Sequence, residues 1–321
     1  VHYERLGRTA LKVSRLCLGT LNFGVRTTKD DSFALMDEAL EQGINFFDTA
    51  NHYGWQVHRG MTEELVGEWF ASGGGRRDKV VLGTKVFCPM SDWPNDQGLS
   101  ARHIIASCDA SLRRLRTDWI DLFQMHGVDP TAGWDEVWQA METLLHQGKI
   151  RYVGSSNFPG WNMVSAQEAA NRRNFLGIVS EQCIYNLVDR QVEREVIPAA
   201  RAYGVGVVAW SPLHGGLLGG ALRKLGEGTA VKSAQGRAVV AMSTYREAVE
   251  RYEEFCLDRG LDPAETALAW VLSRPAVTSA VIGPRTRAHL DGSLRALGSD
   301  LSEDTLREVE ALFLPPAPTV G

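Results

Sequence analysis

The chain has 321 residues, 44% of them hydrophobic and 23% charged, a balance that supports a large core and excludes a disordered or fibrous protein. A formal net charge of −5 argues against a general nucleic-acid or polyanion binder and leaves room only for a local basic pocket that takes a phosphate. With no apolar run as long as a membrane span, and no apolar signal-like core after Val1-His2-Tyr3-Glu4-Arg5, the expectation is a cytoplasmic protein with no membrane partner.

In chain order, residues 3–13 read as two short strands around a Gly-containing turn, a small hairpin. Strand-like and helix-like segments then alternate. Eight strand candidates stand at 16–19, 45–48, 80–85, 120–126, 150–155, 179–182, 206–210 and 277–282. Helical patterns lie at 31–42, 62–71, 100–115, 134–147, 162–171, 193–203, 244–259, 264–273 and 302–313. The first shows Phe33, Met36 and Leu40 on one face, Gly43 as a stop and Asp30, Asp31 and Ser32 as capping candidates. Alternation of this kind favours a parallel sheet with crossover helices, and eight units close into a barrel. The expected fold class is therefore α/β: a single (α/β)8 TIM barrel over residues 1–321, with an N-terminal β-hairpin and a C-terminal helix. A doubly wound open sheet is the alternative. It is disfavoured because Leu18-Gly19-Thr20-Leu21-Asn22-Phe23-Gly24 lacks the Gly-x-Gly-x-x-Gly spacing of a dinucleotide fold.

Two stretches break the alternation. Residues 211–242, rich in Gly, Ala, Lys and Arg, read as a long loop and candidate flap over the barrel mouth, and 314–321 as a Pro-rich tail. The five cysteines, Cys17, Cys88, Cys108, Cys183 and Cys256, are scattered without a Cys-x-x-Cys pair, so reduced thiols, no disulfide and no metal site are expected.

In a barrel the C-terminal ends of all strands meet on one face, where polar residues distant in sequence act together. Asp48 and Tyr53 follow the second strand, Lys85 ends the third and His126 the fourth. Singly they read as a helix cap, a packed aromatic, a surface cation and a core histidine; at consecutive strand ends they read as a catalytic tetrad. A phenol of ordinary pKa ~10 is a reluctant proton donor to a carbonyl. A nearby lysine stabilises its phenolate, an aspartate holds the lysine, and a histidine orients the substrate oxygen. The electrons must come from elsewhere, and a nicotinamide cofactor fits the rest of the mouth. Asn157 and Gln182 with Ser156 suit its carboxamide, Trp210 its ring, and the backbone of 215–220 its pyrophosphate. Arg285, near the start of the helix after the last strand, suits a 2′-phosphate and so favours NADPH over NADH. Trp69, Trp119 and Trp270 read as core, and Trp55, Trp93 and Trp161 as candidate walls of an apolar pocket. Glu63-Glu64 reads as favourable charge at a helix N-terminus.

Together these residues resemble the aldo-keto reductase family over nearly the whole chain. The matching stretches are Asn45-Phe46-Phe47-Asp48-Thr49-Ala50 with Tyr53-Gly54, Gly83-Thr84-Lys85, Gln124-Met125-His126, the run from Gly148 to Phe158, Gln182 with Tyr185-Asn186, and Trp210-Ser211-Pro212-Leu213. Gly154-Ser155-Ser156-Asn157 and Trp210-Ser211-Pro212-Leu213 look like the branch containing potassium-channel β subunits and their bacterial relatives. A second resemblance, to nucleotide-sugar 2,3-reductases, rests on Trp55, Gly73-Gly74-Gly75 and Ser180-Glu181-Gln182-Cys183.

The resemblance implies NADPH extended across the mouth and direct hydride transfer to an aldehyde or ketone, a keto-sugar among them, with Tyr53 as general acid. It places cofactor contacts at Thr20, Ser156, Asn157, Gln182, Trp210, Ser211, Leu213, Gly215, Arg237, Gly283, Arg285 and His289. Gly292-Ser293 stands where the family commonly has a Glu-Asn pair beside the adenine, so the weight of binding shifts to Arg285 and the flap, including Arg237. The competing function is an NADPH-sensing regulatory subunit with weak turnover. A hydrolase on the same barrel is disfavoured, and a homo-oligomer is possible.

Overall fold

The structure, a computed structural model, describes residues 1–229 and 236–313. The hairpin forms from β1 (Tyr3–Arg5) and β2 (Lys12–Ser14), antiparallel with Glu4 opposite Val13. Eight parallel strands follow: β3 (Leu16–Gly19), β4 (Phe46–Asp48), β5 (Val81–Val86), β6 (Ile120–Met125), β7 (Ile150–Ser156), β8 (Ile178–Ile184), β9 (Gly206–Trp210) and β10 (Val277–Ile282). Each pairs with the next and β10 closes onto β3, so the sheet is a barrel and the open-sheet alternative is excluded.

Side chains alternate across each strand and build two layers of core. Cys17, Phe46, Val81, Leu122, Val179 and Val208 form one cluster inside the barrel, joined by Leu6 and Val13 of the hairpin, which plugs the N-terminal end. Leu16, Leu18, Phe47, Leu82 and Phe123 take the other face and pack against the helices. Two residues past Phe46 the same inward face carries Asp48. The barrel is therefore apolar below and polar at its mouth.

The outer layer comprises α1 (Lys29–Glu41), α2 (Met61–Ala71), α3 (Arg76–Lys79), α4 (Ala101–Leu115), α5 (Trp134–His146), α6 (Gly160–Arg172), α7 (Val196–Tyr203), α8 (Ala221–Gly226), α9 (Gly236–Asp258), α10 (Pro263–Ser273), α11 (Arg287–Leu297) and α12 (Glu303–Ala311). Three sequence expectations need correction. Thr28, not Asp30–Ser32, caps α1, its side chain accepting from the Asp31 amide. Residues 191–193 form a separate 3-10 turn before α7. Much of the expected 211–242 loop is helical, as α8 and the start of α9; residues 230–235 of that segment, like the tail 314–321, lie outside the described residues. Its small residues hid the pattern: Ala221, Ala238 and Ala241 pack with Leu217 and Val249 in a cluster of their own.

Trp69 and Trp270 are core as expected, while Trp119 is half-buried under the Arg77 guanidinium at 4.1 Å. Trp93 and Trp161 are mostly exposed. Glu63 does more than favour a helix start, being fully buried and accepting from Thr84 at 2.5 Å and Arg114 at 2.7 Å. That bond ties α2 to α4 where the helices meet closely at Gly67. A Cβ on Gly67 would lie 2.1 Å from the Arg114 carbonyl oxygen and 2.8 Å from the Leu115 carbonyl carbon, both backbone atoms that cannot rotate away. Alanine in a helix interior normally gains about 1 kcal/mol over glycine. Here Gly67→Ala is expected to cost about 1–3 kcal/mol through overpacking. Urea unfolding should show a lower midpoint at unchanged slope; a raised midpoint would contradict the close packing.

Candidate active site

The strand ends bring Asp48 and Lys85 together in the polar layer. Lys85 is wholly buried, and its Nζ lies 2.5 Å from Asp48 Oδ2, 2.9 Å from the Thr49 carbonyl and 3.4 Å from the Tyr53 hydroxyl. Asp48 Oδ1 accepts from Gln124 at 3.0 Å and Gln182 at 2.9 Å, so both carboxylate oxygens are satisfied. Burial works to lower the Lys85 pKa, but attraction to Asp48 and Tyr53 outweighs it and holds the ammonium above its usual range. For Tyr53 burial dominates and raises the phenol. Lys85 opposes that shift and Asp48 adds to it, so the hydroxyl keeps its proton at neutral pH.

His126, just past β6, faces Tyr53 with ring centroids 6.0 Å apart. Its amide donates to the Val86 carbonyl, which fixes the backbone beside Lys85. Burial, then Lys85 and His52, lower the His126 pKa to about 2, so the ring is neutral and carries one donor and one acceptor nitrogen. His52 is likewise held neutral, at about 4, by burial with Lys85 and Arg59. The four tetrad residues thus meet in one place.

Of the expected cofactor residues, Ser156, Asn157 and Trp210 form a bonded group. The Asn157 amide donates to the His126 carbonyl and to Ser156 Oγ, and its oxygen accepts from the Trp210 indole at 3.1 Å. Ser156 donates to the Gln182 carbonyl, and the Gln182 amide points at Asp48. Thr20 donates to the Asp48 carbonyl, and the Gly283 carbonyl accepts from Asn22. Arg237, at the start of α9, lies 4.6 Å over the Trp210 ring and 3.4 Å from the Ser211 hydroxyl, which places the helix that replaced the expected flap at the mouth. The Gly215 amide donates to that same hydroxyl, and the amides of Gly216, Leu217, Leu218 and Gly219 close local turns beyond Leu213.

Arg285 precedes α11, and its amide contacts the exposed His289 ring. Burial, with repulsion from Arg26, lowers its pKa. Neither arginine forms an ion pair among the described residues. Arg287, the first residue of α11, is paired with Glu38, whereas Arg285 and Arg26 have no carboxylate partner among the described residues and suit an anionic ligand. Among the buried atoms with no hydrogen-bond partner in the described residues are both amide ends of Asn51, Thr49 Oγ1 and His52 Nδ1, all clustered in sequence around Tyr53. A cavity of about 700 Å³ opens there, lined by His52, Trp55, Arg59, Cys88 and Met90 among others. Of the three expected wall tryptophans only Trp55 reaches it, stacked on His52 at 5.3 Å. A larger cavity, about 1120 Å³, lies at the hairpin end, far from this chemistry. Two of its arginines are engaged, Arg8 by the Tyr203 carbonyl and Arg274 by Glu310.

Sequence reading missed Gln124, His52, Cys88 and Arg26. Gln124 was accessible, since it shares the inward face of β6 with Leu122, two residues away. Gln182 faces inward through a bulge: between Val153 and Ser155 of β7, β8 advances from Ile178 to Glu181, one residue more than its partner.

Comparison with known proteins gives a consistent result. The sequence model described as the aldo/keto reductase family matches residues 15–313. The chain is 49% identical over 320 residues to the uncharacterized oxidoreductase YrpG of Bacillus subtilis (strain 168), covering 98% of this chain and 97% of that protein. It is 33% identical over 311 residues to a probable voltage-gated potassium channel subunit beta of Oryza sativa subsp. japonica, covering 92% and 91%. Versiconal hemiacetal acetate reductase of Aspergillus parasiticus is 29% identical over 346 residues, covering 99% and 98%.

Glu181, beside Gln182, is buried with Oε1 accepting from the Phe158 amide at 3.0 Å, and burial pushes its carboxyl up to about 8 against weaker hydrogen bonds. The folded form therefore keeps a proton that the unfolded chain releases near its ordinary pKa of about 4.3. The contribution is fully present below the unfolded value and lost as pH rises through 8. Glu181→Gln removes this dependence, so its stability relative to the parent should rise between about pH 5 and about pH 8. Urea unfolding at the two pH values checks it, and a constant difference would contradict it.

Proposed function

The chain belongs to the aldo/keto reductase family, and from that premise we propose that it is an NADPH-dependent reductase of an aldehyde or ketone, keto-sugars included, with Tyr53 as general acid. The observation that carries this reading is the position of Lys85 Nζ between Asp48 Oδ2 and the Tyr53 hydroxyl, on a buried pair that the fold satisfies completely. A bound nicotinamide supplies hydride to the carbonyl carbon. The Tyr53 hydroxyl gives its proton to the carbonyl oxygen, Lys85 stabilises the phenolate left behind, and solvent restores the proton. Asp48 keeps Lys85 charged and in place. A neutral His126 donates a hydrogen bond to the same oxygen and orients it.

The residues present fit the cofactor. Trp210, with its ring fixed by Asn157, offers a flat apolar face, and Asn157 and Ser156 stand beside it with acceptor oxygens. Arg285 and Arg26, unpaired and near the first turn of α11, favour a phosphorylated ribose and hence NADPH. Similarity to a protein named as a channel β subunit keeps a second reading, a cofactor-sensing regulatory subunit. The complete tetrad favours the reductase.

Tyr53→Phe is expected to lower turnover by about 10²–10⁴-fold while NADPH still quenches tryptophan fluorescence with little change in Kd. Undiminished carbonyl reduction would refute the assignment of the acid. Arg285→Ala removes a charge-assisted contact of about 1.5–3 kcal/mol, so NADPH affinity should fall by about ten- to a hundredfold with NADH affinity unchanged. Equal losses for both nucleotides would show that Arg285 does not read the 2′-phosphate.

A further inference from the structure

We propose that His52, Cys88 and His126 form a binding site for one thiophilic cation of the Zn2+ class at the mouth of the barrel. One donor atom from each residue lies within 4.8 Å of the other two. Cys88 Sγ is 3.8 Å from His126 Nδ1, and the two imidazole centroids are 5.2 Å apart. His52 Nδ1 is buried with no hydrogen-bond partner among the described residues. The three side chains come from the segments after β4, β5 and β6, adjacent strands whose register fixes where those segments start. Phe87, between β5 and Cys88, has φ 152, a conformation that side chains rarely adopt. The barrel thus presents the thiol to the histidines from a constrained backbone.

Zinc bonds of about 2.3 Å to sulfur and about 2.0–2.1 Å to nitrogen require tetrahedral donors about 3.3–3.6 Å apart. The donors here must close by about 1 Å, within reach of side-chain rotation because His52, Cys88 and His126 are all only partly buried. The donor set selects the metal. Two imidazoles and a thiolate, with no carboxylate among them, suit Zn2+ and disfavour the hard cations Mg2+ and Ca2+. Lys85 and Arg59 act on His52 with positive charge and so oppose any cation. The thiolate offsets one unit of that charge as the metal–sulfur bond forms and the Cys88 proton passes to solvent. A fourth position would face the cavity lined by Trp55, Arg59 and Met90. The site is defined by its donors and goes beyond the reductase reading without resting on it.

Co2+ added to the full-length protein is the probe, because a cobalt–thiolate bond gives a near-ultraviolet charge-transfer band whether or not the protein reduces any carbonyl. The expected result is one equivalent bound, displaced by Zn2+ and unaffected by excess Mg2+. The band should disappear in Cys88→Ala, and His52→Ala should weaken binding by about tenfold or more. Absence of the band in the parent protein, or its survival in Cys88→Ala, would overturn the proposal. A second measurement needs no variant. Cys88 is half-exposed and the other four cysteines are buried, so iodoacetamide should mark Cys88 first, and Zn2+ should slow that reaction by at least about tenfold. Alkylation of Cys88 at an undiminished rate in excess Zn2+ would refute the site.

Discussion

The buried contact between Lys85 and Asp48 is the constraint on which the mouth of the barrel depends. Taking an ammonium and a carboxylate out of water costs several kcal/mol each, about as much as their attraction returns, so such a pair is weak evidence of stability. What it does is fix positions. Asp48 is satisfied by three side chains from β5, β6 and β8, and Lys85 by groups around β4. Four strands must be in register for the pair to exist, and when it exists the Tyr53 hydroxyl has a permanent cation beside it.

The two ends of the barrel follow from the same alternation of side chains. Inward positions low in the strands are apolar and sealed by Leu6 and Val13, which denies water a route to the pair from beneath. Two to four residues higher, the inward positions become Asp48, Lys85, Gln124 and Gln182, with Tyr53 and the rings of His52 and His126 grouped beside them. That asymmetry sets a desolvated charge at the polar end of the barrel, beside the Tyr53 hydroxyl.

The eight strands were legible because buried parallel strands read as short apolar runs between turn residues, and seven of the eight were placed within one residue at both ends. Asp48, Lys85 and His126 were legible because each sits at or just past the end of such a run, and Tyr53 because it follows Asp48 in the same loop. The start of α9 was not, since its contact face is made of Ala238 and Ala241 and carries no hydrophobic period to detect. The inward turn of Gln182 depends on a bulge in β8, which no local pattern announces. The grouping of Cys88 with His52 and His126 joins three segments distant in sequence, whereas metal motifs are recognised in sequence by short spacings. The burial of Glu63 and Glu181 was not legible, because burial of a carboxyl is a tertiary fact.

The central claim is that Lys85, held by Asp48, sets the proton affinity of Tyr53. It is tested most directly by carbon-13 NMR of protein labelled at the tyrosine ring carbon bearing oxygen, with Tyr53 among the seven tyrosines assigned by its loss in Tyr53→Phe. In the parent protein Lys85 draws the phenol pKa down against the effect of burial. The account therefore predicts that Tyr53 titrates at a lower pH in the parent than in Lys85→Met. Coincident titrations would show that the lysine does not act on the phenol and would remove the physical basis for Tyr53 as the acid.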